Sequence, residues 1–201
     1  MANEDDEGSP SVGYSSPPCS MHEVDPAYMG VGDGAGGQAV TFAMAPPISI
    51  ERWFHTPQPL ALDQLRGKVV VMEAFQMLCP GCVAHGIPQA QRIYNTFSPE
   101  DVAVVGLHTV FEHHLAMTPV SLAAFLHEYK VTFPVGVDRS HKSGMPETMR
   151  AYEMQGTPTL ILIDAKGLLR KQWFGAASDL IVGAEIMRLI VEQHAGNDAV
   201  T

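Results

Sequence analysis

The sequence predicts an α/β protein: a mixed central sheet flanked by helices on both faces, with an N-terminal strand or hairpin extension. Three observations carry that prediction. Two apolar, β-branched runs, 69–75 and 102–108, are separated by a helical stretch, the spacing of a right-handed parallel crossover. Residues 159–164 and 168–174 are strand-like runs joined by Ala165-Lys166-Gly167, the pattern of an antiparallel hairpin. Helical periodicity at 119–129, 146–154 and 178–194 supplies the covering layers.

Taken in order, the chain opens with a segment of little structural content. Residues 1–45 are rich in Gly, Ser and Pro, and five of the eight residues from Gly30 to Gly37 are glycine. Such a stretch buries too little apolar surface to offset its ordering entropy, so a flexible tail is expected. Within it, Val40 to Met44 is a candidate short strand that ties the tail down, and Cys19 stands alone. The folded domain is expected over 46–195, with 196–201 as a C-terminal tail. Ile48 to Phe54 alternates as a strand, Thr56-Pro57-Gln58-Pro59 is a turn, and Leu60-Ala61-Leu62 is expected to return as a second short strand. Asp63 to Gly67 makes a helical turn before the central strand, which ends in Cys79-Pro80-Gly81-Cys82. The helix that follows runs from Pro80 past Tyr94. After the second parallel strand come a polar loop (109–118), the helix at 119–129 and a short strand at 133–138. The helix at 146–154 and a Gly156-Thr157-Pro158 turn lead into the hairpin. The last helix is expected to pack Leu180, Ile181, Ile186, Leu189 and Ile190. Trp53, Trp173 and Phe174 are expected to fill the core or cover the sheet edge.

Composition narrows the function. Net charge is −10, but residues 1–50 hold seven acids and no Lys or Arg, so the acidity belongs mostly to the tail. No basic patch for nucleic acid exists in either part. No run of eighteen apolar residues is present, so no membrane-spanning helix is expected. The acidic start, Asn3 to Glu7, is unlike a signal peptide, which makes the cytoplasm the expected location. Three cysteines are too few for a disulfide framework, and a Cys-x-x-Cys pair between strand and helix is a redox motif.

The chemistry follows from placement. Cys79 sits at a helix N-terminus, where backbone amides and the helix dipole favour thiolate, and Cys82 lies one turn further in as the resolving thiol. Glu73 is an acid inside an apolar strand, expensive to bury unless it has a task; burial raises its pKa toward that of a general base.

Leu65 to Val71, Cys79-Pro80-Gly81-Cys82, Pro88, Phe133-Pro134, Val137-Asp138, Gly156-Thr157-Pro158-Thr159 and Ile163 to Gly167 together resemble the thioredoxin superfamily. Within it they resemble the TlpA/DsbE-type thiol–disulfide oxidoreductases. The resemblance covers about residues 48–192. It implies a thioredoxin-like fold, a cis Pro158 beside the dithiol, and a buried acid at Glu73 that moves the resolving thiol's proton. It also implies a substrate groove formed by Pro80, Gly81, Thr157 and His85. Partners would be a disulfide-containing protein or small molecule and an external electron donor, with no bound cofactor or metal.

The chain departs from that pattern in three places. Leu78 replaces the usual aromatic residue before the first cysteine, and His85 stands where many relatives have glutamate. Six residues separate Cys82 from Pro88 where five are usual, with Gly86 between, which predicts a bulge in the active-site helix. Two alternatives compete with disulfide reduction. A peroxiredoxin-like peroxidase needs Thr or Ser three residues before its cysteine, where Gln76 stands. A copper- or zinc-handling protein would use Cys79, Cys82 and a histidine from His108, His113, His114 or His141.

Overall fold

A computed structural model describes residues 41–198, with side chains through residue 195; the leader before Thr41, Cys19 and residues 199–201 lie outside the described residues. Six strands form one sheet: β1 (Ile50–Phe54), β2 (Val69–Phe75), β3 (Val102–His108), β4 (Val135–Asp138), β5 (Thr159–Ile163) and β6 (Leu169–Phe174). Their spatial order is β1-β4-β3-β2-β5-β6. β2, β3 and β4 run parallel, while β1, β5 and β6 join antiparallel. Helices α1 (Ile87–Thr96), α2 (Pro119–Glu128), α3 (Glu147–Ala151) and α4 (Asp179–Asp198) cover the sheet. This is the mixed, helix-flanked sheet that the sequence predicts.

β2 lies between β3 and β5, and every residue from Val69 to Phe75 is buried. Its side chains alternate between two cores, as a strand's period of two requires. Val69, Val71 and Phe75 pack with Ile87, Ala90 and Ile93 of α1, Leu122 and Leu126 of α2, and Val182, Ile186 and Leu189 of α4. Val70, Met72 and Ala74 face the other way, onto Met149 of α3, Tyr152 and Met154. Each of the Val, Leu, Ile, Phe and Met side chains among these contributes about 1.5–3 kcal/mol when buried.

Loop chemistry sets the connections. Thr118 Oγ1 accepts from Ser121 N at 3.3 Å, and Pro119 occupies the first helical position, so α2 starts where the N-cap and proline rules place it. Asp164 Oδ1 accepts from Lys166 N and Leu168 N, both at 2.9 Å, which closes the β5–β6 turn. Gly167 completes that turn with φ +79°, a value other residues rarely adopt. The chain upstream is tied to this turn: Ala45 N donates to Gly167 O, Leu169 N donates to Ala43 O, and Met44 pairs with Leu168. Ordered pairing therefore begins a few residues before position 46, and α4 continues through Asp198, beyond the 178–194 expected for that helix.

Two expectations are corrected. Residues 60–62 form no strand, so among the described residues β1 has no hairpin partner there. Pro57 and Pro59 have no N–H to give a ladder. Leu62–Leu65 instead winds into a 3₁₀ turn, with Gln64 Oε1 accepting from Ala61 N at 2.9 Å. β1 pairs with β4 at the sheet edge. On α4, Leu180 is 85% exposed and Ile181 52% exposed. The buried row is Val182, Ile186, Leu189 and Ile190, an i, i+4, i+7, i+8 face that points away from the first two.

Candidate active site

The site forms where β2 runs out. Beyond Phe75, Gln76 remains buried: its Oε1 accepts from Phe111 N at 3.3 Å and its Nε2 donates to Glu112 at 3.4 Å. Cys79 N donates to Gln76 O at 3.2 Å, which turns the chain toward the helix. The helix starts at Pro80, where a missing N–H costs nothing. Cys79 Sγ then lies over the first turn, accepting from Cys82 N at 3.3 Å in the manner of an N-cap side chain.

The two thiols are therefore unlike. Cys79 is half-buried, and its pKa is lowered to about 6, first by the Cys82 thiol's hydrogen bond and further by the backbone amides of Cys82 and Gly81. Cys82 is fully buried, and its pKa is raised, first by its hydrogen bond to Cys79 and then by desolvation. Both are free thiols. Cys79 Sγ also lies 3.4 Å from Thr157 O, across the site. The Thr157–Pro158 peptide bond is cis.

Glu73 sits on β2 between Gly106 of β3 and Leu160 of β5, 1% exposed. Its pKa is raised to about 8, mainly by desolvation and secondarily by the charge on Cys79. Its Oε1 has no hydrogen-bond partner.

The extra residue before Pro88 has a visible consequence. Cys82–Gly86 is a π turn, and α1 resumes regular winding at Ile87. That is the bulge the residue count predicts. The turn brings Gly86 against the sheet, where a Cβ would lie 3.0 Å from both Glu73 Cδ and Pro158 Cβ and would overlap Glu73 Oε1. Gly81 makes a similar approach, since its Cβ would meet Pro158 Cδ at 3.2 Å. Glycine at these two positions lets the helix close on both the acid and the proline.

The structure brings Cys79, Cys82, Glu73, Pro80, Gly81, Thr157 and Pro158 together. His85 is exposed on the π turn and lines a cavity of about 260 Å³ with Glu73, Gly86, Gln89, Arg92 and the 175–179 segment. Sequence reasoning missed Gln89 and Asp179. Gln89 Nε2, buried, donates to Ala177 O at 2.9 Å and to Asp179 Oδ1 at 2.6 Å. A polar residue on the buried face of α1 was the available signal. The histidines do not converge: His108 is buried beside Phe75 with its ring nitrogens unpartnered, and His141 bonds Ser143 and Arg150. Among the described residues, no three His, Cys, Asp or Glu side chains gather where they would hold a metal ion.

A dithiol at a strand–helix junction of such a sheet places the molecule in the class of thioredoxin-like thiol–disulfide oxidoreductases. The sequence pattern of the AhpC/TSA family matches residues 38–172, and the chain belongs to that family. The crystal structure of a thioredoxin-like superfamily protein is 60% identical, with a TM-score of 0.73 over 74% of this chain and 97% of that one. The structure of a thiol-disulfide isomerase from Corynebacterium glutamicum is 45% identical, with a TM-score of 0.69 over 73% of this chain and 96% of that one. Protein DipZ of Mycobacterium bovis is 28% identical over 167 residues, which are 82% of this chain and 23% of that protein. The chain thus spans less than a quarter of that curated relative.

Proposed function

We propose that this protein is a disulfide reductase in which Cys79 attacks and Cys82 resolves. The observation that supports this most is the contrast between the thiols: one half-buried with its pKa lowered to about 6, the other fully buried with its pKa raised. At neutral pH the first is largely thiolate and within reach of substrate, while the second is held as a thiol until needed.

The reaction balances as a two-electron exchange. Cys79 thiolate bonds to one sulfur of the substrate disulfide, the substrate S–S bond breaks, and the first substrate thiolate leaves and takes a proton. Cys82 then gives its proton to the Glu73 carboxylate, its sulfur bonds to Cys79 Sγ, the Cys79–substrate S–S bond breaks, and the second substrate thiolate leaves and takes a proton from solvent. Substrate is reduced to two thiols, and the protein is left with a Cys79–Cys82 disulfide. A dithiol donor regenerates it. Thr157, Pro158, Pro80 and Gly81 border the place where the substrate backbone would lie, while His85 faces the Glu73 cavity instead, and the exposed Leu78 leaves the rim apolar. Disulfide-bonded proteins or small disulfides are the proposed substrates.

The peroxidase reading finds less support. Gln76, three residues before Cys79, is engaged with Phe111 and Glu112 rather than aimed at the sulfur.

The test is Cys82→Ser in the full chain. A disulfide-bonded complex through Cys79 should accumulate, dissolve on adding excess dithiol, and be absent in Cys79→Ser. A wild-type pair that neither forms a reversible disulfide nor catalyses exchange overturns the proposal.

A further inference from the structure

Glu73 presents a physical problem that its proposed role makes sharper. The charge on the Cys79 thiolate helps hold a proton on Glu73. Once Cys79 is bonded to substrate that charge is gone, and Glu73 must shed its proton before it can receive the one from Cys82. Gly86 lies between it and buried Pro158, and along the sheet it is flanked by Gly106 and Leu160. None of those neighbours passes a proton on to water.

Glu73 also lines a cavity that reaches exposed residues. The cavity of about 260 Å³ begins at Glu73 and Gly86 and ends at exposed His85, Ala176 and Asp179. Its size is well above the ~10–15 Å³ that one water needs, and its walls carry polar groups that can bind a chain of waters. Gln89 and Arg92 both hold Asp179, Arg92 Nη2 at 2.9 Å, which keeps the outer wall in place. The titratable groups that face Glu73 or its cavity are Cys79 and Cys82 from the dithiol turn, His85 from the π turn, Arg92 from α1 and Asp179 from α4.

We propose that this cavity is a hydrated proton route from Glu73 to solvent, opened by the missing side chain of Gly86 in the π turn. It rests on the Glu73 role stated above, and it assigns new roles: Gly86 keeps the throat clear, and Gln89 and Asp179 hold the wall. They are positioning residues. The proton on Glu73 leaves through the cavity waters to bulk, and no other bond changes.

Two variants close the route at different depths. Gly86→Ala fills the throat, and Ala176→Phe covers the mouth from an exposed position that leaves the core untouched. The first readout is infrared: on transfer to D₂O, the carbonyl stretch of protonated Glu73, assigned by its loss in Glu73→Gln, shifts as its proton exchanges. The second is the resolving step in stopped flow with Ellman's reagent, in H₂O and D₂O. In the wild type the band should shift within the mixing time. In both variants exchange and resolution should slow on the order of tenfold and the solvent isotope effect should grow; in Ala176→Phe, which touches none of the site residues, the first attack by Cys79 should keep its rate. Unslowed exchange in Ala176→Phe overturns the route, whatever becomes of Gly86→Ala. If Glu73→Gln leaves resolution unchanged, the Glu73 role fails instead, and the infrared exchange still decides whether the cavity conducts protons.

Discussion

Two carboxylic acids are buried in this sheet, and their surroundings could hardly differ more. Asp138, at the end of β4, is 4% exposed and surrounded by donors. Its Oδ1 accepts from Thr148 N at 2.8 Å, and its Oδ2 accepts from Met149 N and Thr109 Oγ1, both at 3.0 Å. It caps the first turn of α3 from a neighbouring strand. Glu73, on β2, is as deeply buried, yet its Oε1 has no partner and faces a cavity. Desolvation raises the pKa of both, but only at Asp138 do hydrogen bonds, from Thr148, Met149 and Thr109, pull the other way. Burying an acid without donors is costly, and folded proteins normally supply them. An acid that a fold holds without them is suited to handling protons rather than to holding the fold.

The largest effect expected from this contrast is in the pH dependence of stability. A carboxyl whose folded pKa lies above its unfolded value stabilises fully below the unfolded pKa, and that contribution is lost as pH rises through the folded one. For Glu73 the window runs from its model-peptide value of 4.5 toward about 8. The lowered pKa of Cys79 acts in the opposite sense above about 6, so the cleaner comparison is made in a Cys79→Ser background. There the thiolate's small share of the Glu73 shift disappears, while desolvation, the main cause, remains. Between roughly pH 5 and 8, that background should lose about 1 kcal/mol per pH unit relative to Cys79→Ser/Glu73→Gln, about 3 kcal/mol in all at the upper end. Urea midpoints across pH measure it. Parallel curves for the two proteins would show that Glu73 is not held as an acid.

Asp138→Ala should reverse the pattern. It leaves the Thr109 hydroxyl and two amides of α3 without their acceptor, at about 3 kcal/mol, or on the order of 10 °C in Tm. Disulfide exchange per folded molecule should be unchanged. A loss of exchange activity at temperatures where the variant is fully folded would break the division between a structural and a working acid.

How much of this was legible beforehand depends on which residues are asked about. The strands at 69–75 and 102–108 are long apolar runs whose partners follow from topology, and the structure matches them residue for residue. The π turn was legible as a count, six residues from Cys82 to Pro88. The false strand at 60–62 came from three apolar residues too short to have a period, next to prolines that deny them a ladder. Leu180 and Ile181 were misplaced because α4 has apolar residues on more than one side, so its periodicity alone does not choose the buried row. Glu73 was noticeable as an acid in an apolar strand. That it lacks a partner while Asp138 has a full set depends on Gly86, Thr109 and Thr148, residues brought to them only by the folded backbone. Sequence spacing carries no signal of that kind.

The smallest of these tests is also the most specific. Thr109→Val keeps the shape of a buried side chain and removes one donor from Asp138. The hydrogen bond is neutral-to-acid, 3.0 Å long and buried at both ends, so its loss should cost about 1 kcal/mol in urea denaturation and move the Asp138 pKa further up. Asp138 retains both α3 amides, so the cost should fall well short of that of Asp138→Ala. If the two variants are equally destabilised, the cap depends on the hydroxyl and the amide bonds contribute little. If Thr109→Val is the milder by about 2 kcal/mol, the stabilisation is shared among the three donors, the two α3 amides included. Glu73 Oε1 has no partner to delete, so no matching single-donor variant exists on that side of the sheet. That asymmetry, rather than depth of burial, separates the two acids.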